Sequence, residues 1–154
     1  MDEKDRKALS NIEKFGCHVL KVMEGEGEPC FCYSIGINKK QNKPDLLITG
    51  LDLSLAHSIV NNYKDRLLAG ESFDTENYYS DFLEGFDVCF VKVDKKHYEE
   101  YLGFGLWLHG GNNFEVLQMI WPTTGGKWPW DTDTSDYYKW AQPVLNASGI
   151  LSKI

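Results

Sequence analysis

Hydrophobic residues recur every three to four positions in two segments of the chain, the spacing that gathers them on one face of an α-helix. The first segment covers residues 2–15 and stops before Gly16, a residue suited to a helix C-terminal cap. The second starts at Asp52 or Ser54, either of which can cap a helix, and stops at Gly70. We therefore predict two amphipathic helices, of which the second has the longer apolar face. The residues of that face are Leu55, Ala56, Ile59, Val60, Tyr63, Leu67 and Leu68.

Short apolar segments bounded by turn residues indicate β-strands at residues 17–23, 30–37, 45–50, 87–93 and 114–121. A turn rich in glycine and glutamate joins the first two strands, which predicts a hairpin. Residues 38–44 are polar and are predicted to form a loop, whereas a third helix is expected to start at Asp94. This succession of helices and strands is typical of an α+β fold with a mostly antiparallel sheet and two to three packed helices.

The length of 154 residues fits one globular domain, residues 1–154. We expect it to begin with an N-terminal helix, 1–15, and to end with an aromatic-rich loop region, 123–154, that contains a short helix near 137–140. Hydrophobic residues make up 42% of the chain, enough to form a core without disulfides or a metal. No apolar segment could span a bilayer, and the charged N-terminus does not match a signal peptide, so we expect a cytoplasmic protein.

The four cysteines are expected to be reduced and to serve as small apolar residues. Cys30 and Cys32 share one face of a predicted strand, but no second pair of cysteine or histidine residues completes a metal site. We therefore predict no metal and no cofactor. The other two cysteines are Cys17 and Cys89.

The net charge of −7 limits the partners that the chain can have. It argues against nucleic acid and against an anionic membrane surface, because both repel an acidic protein. It is compatible with a basic protein partner or simply with solubility. The sequence leaves the oligomeric state open.

No segment matches the patterns of common catalytic sites. The nucleophile pattern G-x-S-x-G, the zinc pattern H-E-x-x-H and the phosphate-binding loop are absent, and Gly125-Gly126-Lys127 is most simply a turn. A cysteine–histidine pair brought together by the fold stays open as an alternative. We predict no catalytic residues and interpret the chain as a non-enzymatic protein. Its histidines, His18, His57, His97 and His109, are interpreted as hydrogen-bonded or partly exposed residues.

Between Leu67 and Val91 the chain has no lysine or arginine but six carboxylates, interleaved with aromatic residues. Exposed rings among acidic residues would suit an interface that attracts a basic protein and anchors it. The alternative is that the rings face the core and the carboxylates form an ordinary solvated surface. The predicted partner-binding residues are Glu71, Asp74, Glu76, Tyr78, Tyr79, Asp81 and Glu84.

Four of the five tryptophans lie between residues 121 and 140. Such a segment either packs over the sheet or offers rings to a ligand or partner, and packing is expected for Trp121 and Trp130. The aspartates among the rings make nucleic-acid stacking improbable, because basic residues normally accompany it.

The sequence resembles the DUF4262 family of small bacterial domains without an assigned function. The resemblance rests on short segments in a fixed order: residues 16–19, 31–37, 44–46, 50–51, 83–85, 98–103, 117–118, 121–122 and 129–131. It departs from the family at Lys43, where a histidine often precedes the Pro-acid pair. The resemblance implies a soluble bacterial domain and no particular reaction. It also implies either packing signatures or a shared pocket near Tyr33, Asp45, Gln118, Trp121 and Trp130.

We therefore expect a cytosolic, immunity-type protein that neutralises a bacterial toxin by direct binding. Small size, acidity and the acidic aromatic segment favour this function, since charge steers such an inhibitor to a basic enzyme. The alternative is a small-molecule-binding domain or an enzyme that uses the pocket suggested by the resemblance.

Overall fold

A computed structural model describes residues 1–148, and residues 149–154, the end of the predicted aromatic-rich region, lie outside the described residues. The helices are α1 (Glu3–Phe15), α2 (Ile37–Gln41), α3 (Leu53–Leu68), α4 (Tyr98–Tyr101), α5 (Gly103–His109) and α6 (Asp136–Ala141), with a 3₁₀ turn at Lys95–His97. The strands are β1 (His18–Val22), β2 (Phe31–Ile35), β3 (Asp45–Thr49), β4 (Tyr79–Leu83), β5 (Phe86–Lys92) and β6 (Val116–Ile120).

The six strands form one sheet in the order β1-β2-β3-β6-β5-β4. Neighbouring strands are antiparallel except for β3 and β6, which are parallel. The α+β fold with a mostly antiparallel sheet is therefore confirmed. Within residues 1–148, no helix combines the length and the apolarity needed to cross a membrane.

The two long helices begin and end where the sequence predicts. Asp2 Oδ1 accepts a hydrogen bond from Asp5 N at 2.9 Å and caps α1, and Gly16 ends that helix with a φ of 88°. Asp52 caps α3 in the same way, because its Oδ2 accepts from Leu55 N at 3.0 Å. Both ends leave few backbone groups without partners, so the helices are locally stable as well as packed.

Helix α3 packs its apolar face on one side of the sheet. Ile59, Val60 and Tyr63 are at most 2% exposed and meet Leu46 and Phe90 in one continuous core. Each buried side chain of this size contributes about 1.5–3 kcal/mol before ordering entropy is subtracted. On the other side of the sheet, residues of α1, α4 and α5 cover β2, β3 and β6. Cys89 and Val91 of β5 are buried there beneath Trp128, Trp130 and Val144, so β5 is buried on both faces as predicted.

The tryptophan-rich segment packs against the second side of the sheet, over β5 and β6. Trp128 and Trp130 lie against a cluster that includes Val91 and Ile120. Helix α6 approaches the end of β3 so closely that a Cβ on Gly50, whose φ is 78°, would lie 2.8 Å from the carbonyl carbon of Ala141. Only glycine fits that backbone conformation and that contact.

Two local predictions were wrong. Residues 38–44 were predicted as a loop, yet Ile37–Gln41 form α2, because Asp45 accepts hydrogen bonds from the Ile37 and Asn38 amides at 3.0 and 3.1 Å. A cap supplied from the following strand has no local sequence signature. The third helix is also not continuous, since it divides into a 3₁₀ turn, α4, which ends at Tyr101, and α5, which starts at Gly103.

Candidate functional site

A cleft of about 600 Å³ opens between α1 and α3, with β1 as its floor. Lys7, Asn11 and Phe15 recur every four residues, which puts them on one face of α1. The opposite wall is a row of polar residues on α3, formed by His57, Asn61, Lys64 and Asp65. We call this site the α1–β1–α3 cleft. Its remaining lining residues are Cys17, His18, Val19 and Lys21.

The cleft is basic although the chain is acidic. Three lysines and one aspartate give it a formal charge of +2, whereas the whole chain carries −7. Within residues 1–148, the side chains of Lys7, Lys21, His57 and Asn61 make no hydrogen bond or ion pair. Polar groups that converge without internal partners are available to a ligand.

Lys64 is the most buried of the three lysines of the cleft, with 9% of its surface exposed. Its stem lies against the backbone turn that ends α1, where a Cβ on Gly16 would be 3.5 Å from Lys64 Cδ. Within residues 1–148 its ion pair is with Asp65, at 3.6 Å, and that carboxylate side chain is 67% exposed. The packed stem therefore fixes the ammonium at the cleft, while a long ion pair with a hydrated carboxylate contributes little and leaves the ammonium available to a ligand.

The titratable neighbours of Lys64 have perturbed proton affinities. Burial lowers the pKa of His18, and the charge of Lys7 lowers it further. Burial also lowers the pKa of His57, with a smaller effect from Lys21. Both imidazoles are therefore expected to be neutral at pH 7. Asn11 Nδ2 donates to His18 Nδ1 at 2.9 Å, which leaves the ring proton of a neutral His18 on Nε2.

The cleft lacks the features of a nucleophilic site. Burial raises the pKa of Cys17 to about 11, and the lowering effect of Lys64 does not offset it, so the group is a thiol at neutral pH. In the part of the chain that the structure describes, no three His, Cys, Asp or Glu side chains are grouped as metal ligands. The arrangement is suited to holding an anion by charge and hydrogen bonds.

Comparison with protein families gives one match. Residues 11–135 match the family described as Domain of unknown function (DUF4262). The chain belongs to this family. The matched region of this DUF4262 chain includes every lining residue of the cleft except Lys7. No curated protein and no solved structure matches the chain.

The residues of the predicted acidic interface differ in exposure and in contacts. Residues 71–87, here called the acidic segment, expose the carboxylates of Glu76, Asp81 and Glu84. Glu71, however, forms a two-pronged ion pair with Arg66, with nitrogen–oxygen distances of 2.9 Å. Asp74 accepts hydrogen bonds from the Glu76 amide and the Asn77 side chain, and so stabilises a turn.

Most rings of the acidic segment point into the protein. Phe73, Tyr79 and Phe82 pack around Phe90, with ring centroids 5.6 to 5.7 Å from it. Tyr78 differs, since it is 49% exposed and lies 5.3 Å from the Trp128 ring. The expectation that both Tyr78 and Tyr79 face a partner is therefore corrected for Tyr79, which serves the core.

The five residues of the pocket suggested by the resemblance have internal contacts. Tyr33 Oη accepts from Phe104 N at 3.1 Å, and Trp121 Nε1 donates to Thr49 O at 2.8 Å. Neither the cleft nor a second cavity of about 630 Å³, beside β5, is lined by any of the five. The remaining members are Asp45, which caps α2, Gln118, which holds residues 143–145, and Trp130, which stacks on Trp128 at 5.4 Å.

Sequence analysis did not find the cleft. The signal that could have indicated it is the position of Lys64, which follows the buried Tyr63 and sits beside the apolar stripe of α3. The spacing of His57, Asn61 and Lys64 on one helix also places three polar groups in a row. Which second element faces that row is a matter of tertiary structure, and local patterns do not contain it.

Proposed function

We propose that this DUF4262 chain is a binding protein for a small anionic ligand held in the α1–β1–α3 cleft. The observation that carries the proposal is a cleft of formal charge +2 in a chain of −7, where the buried stem of Lys64 holds its ammonium at the wall. Within residues 1–148 that ammonium has a long ion pair, 3.6 Å from the largely hydrated carboxylate of Asp65. An anionic ligand would give it a closer partner, which supports a ligand of negative charge.

The surrounding groups support the same conclusion. Lys7 and Lys21 are exposed at the cleft and would raise the local concentration of anions. His57 and Asn61 add side chains that form no hydrogen bond with residues 1–148. A volume of about 600 Å³ falls within the range of small-molecule sites, roughly 300–1,000 Å³. The proposed function is the small-molecule binding that the sequence left open as an alternative. The cleft, however, is lined by other residues than the pocket that the resemblance suggested.

The test is thermal unfolding in sulfate or phosphate, compared with chloride at equal ionic strength. A ligand at about 100 times its Kd adds about 2.7 kcal/mol of stability. For a domain of this size, each kcal/mol raises Tm by about 2–4 °C, so a rise of about 5–11 °C is expected. A Tm that follows ionic strength alone, whatever the anion, would refute the proposal.

Two lysine variants separate the cleft from general charge effects. Lys64→Met removes the ammonium with little change in shape and should abolish the anion-dependent rise in Tm. Lys139→Met changes the net charge equally at an exposed position on α6, outside the cleft, and should keep the rise. Equal loss in both variants would show that the anions act on the net charge and not in the cleft.

A second candidate function is a cytoplasmic, immunity-type protein that binds a basic partner such as a toxin domain. The observation in its favour is Tyr78, a half-exposed ring supported by Trp128 and accompanied by the exposed carboxylates Glu76 and Glu84. A ring with acidic neighbours is a common anchor in steered complexes. The same proposal includes a bacterial origin, and it excludes nucleic acid and membranes as partners.

The test uses the protein encoded by the neighbouring reading frame as the binding partner. Reversing Glu76, Asp81 and Glu84 to lysine should slow association and weaken its dependence on salt. The matched control reverses Glu99 and Glu100, which are exposed on α4, and should leave the association rate unchanged. Association that is equally fast for both variants across a salt series would rule out this interface.

A further inference from the structure

The exposed ring of Phe15 is a feature that an inorganic anion would not need. Phe15 is the last residue of α1, is 60% exposed and lines the cleft. Its neighbours along the same face of the helix, Lys7 and Asn11, are polar. An exposed aromatic face beside cationic groups can stack on a planar ring, and such stacking tolerates different rings because each has a π-face.

Two side-chain amides also line the cleft. Asn61 has no hydrogen-bond partner within residues 1–148, and Asn11 uses its Nδ2 on His18 and keeps its carbonyl oxygen. One residue therefore offers both a donor and an acceptor, and the other offers an acceptor. This is the combination that reads the polar edge of a heteroaromatic ring, as asparagine does with adenine.

Building on the proposed function, we propose that the ligand joins an anionic group to a planar heteroaromatic ring, with a nucleoside monophosphate as its simplest form. The anion lies toward Lys64 and Lys21, and the ring stacks on Phe15. The volume of about 600 Å³ exceeds what a lone phosphate fills, which leaves space for the ring and a linking sugar. Binding is non-covalent, because Cys17 is a buried thiol and no nucleophile is indicated.

The experiment is calorimetric titration of the full chain with phosphate, ribose 5-phosphate, adenosine, AMP and CMP at constant ionic strength. The monophosphates should bind about tenfold or more tightly than ribose 5-phosphate, the difference expected from stacking one base. AMP and ribose 5-phosphate of equal affinity would overturn this inference while leaving the proposed function intact. No heat from any phosphate compound would instead remove the proposed function and this inference together.

Variants assign the two halves of the ligand. Phe15→Ala should lower the affinity for AMP toward that for ribose 5-phosphate and leave the latter unchanged, and Phe15→Trp should retain the preference for AMP. Lys64→Met should weaken both compounds. Because Phe15 is mostly exposed, its variants should keep the wild-type Tm, which checks folding. Adenosine binding as tightly as AMP, or an unchanged preference for AMP in Phe15→Ala, would contradict the inference.

Discussion

The buried carboxyl group of Asp45 should make the stability of the fold depend on pH in a defined direction. Burial raises its pKa from 3.8 to about 7, against the lowering effect of the hydrogen bonds from the Ser34 hydroxyl and two backbone amides. Between about pH 4 and about pH 7, the folded chain therefore keeps a proton that the unfolded chain releases. The contribution to stability is complete below about pH 4 and is lost as the pH rises through about 7.

The size of the effect follows from the two pKa values. A difference of about three between them corresponds to about 4 kcal/mol in the free energy of unfolding, as an order of magnitude. Asp45→Asn removes the titration but keeps the shape and one acceptor oxygen. Subtracting the stability of this variant from that of the wild type cancels the titration of all other groups that behave alike in both chains.

The measurement is urea unfolding of wild type and Asp45→Asn at several pH values between about 4 and about 8. The stability of the wild type relative to the variant should fall as the pH rises, and most of the change should lie between about 4 and 7. A relative stability that is independent of pH, or that rises with pH, would refute the reasoning. It would mean that the three hydrogen bonds to the carboxylate outweigh its burial.

Three further changes test the packing. Gly50→Ala should lower the free energy of unfolding, measured in urea, by about 2–5 kcal/mol, because its φ is unfavourable for alanine and the added Cβ would collide with Ala141. The control Gly125→Ala adds no close contact and should leave the stability unchanged. Gln118→Met should lower the free energy of unfolding by about 2–4 kcal/mol, because the Pro143 carbonyl and the Leu145 amide lose their hydrogen-bond partner. Faster amide hydrogen exchange of residue 145 would report this loss, and unchanged exchange would contradict the role of Gln118 in holding that segment. Lys64→Met without added anion should unfold at the same temperature as the wild type, because the buried stem keeps its volume and the ion pair with Asp65 is largely hydrated, and a clearly lower Tm would show that the ammonium stabilises the fold.

Much of the fold can be predicted from local patterns because the elements carry their own signals. The apolar stripe of α3, with Asp52 at one end and Gly70 at the other, specifies a helix before any tertiary contact is known. The double-sided burial of β5 follows from apolar residues at both parities. The helix α2 has no such signal, because its cap is Asp45, which follows it in the chain.

The candidate site was not predicted, for a physical reason. The cleft depends on two helices, α1 and α3, that meet across β1, and their polar rows are ordinary solvated faces when each helix is considered alone. The acidic segment shows the reverse difficulty. Its alternation of rings and acids fits rings that face outward and rings that face inward equally well. In the structure most of these rings face inward, and Arg66, which lies outside this segment, packs on one of them, with its guanidinium carbon 4.2 Å from the Phe82 ring centroid.

The central position of β6 has a consequence for how the chain folds. Strand β6 joins β3 on one side and β5 on the other, so it connects two groups of strands that are each local in sequence, β1–β3 and β4–β5. Before residues 116–120 are synthesised, both groups have an unpaired edge that can pair with other chains. Nascent chains arrested before β6 should therefore be digested readily by proteases, and protection should appear in one step once β6 is available.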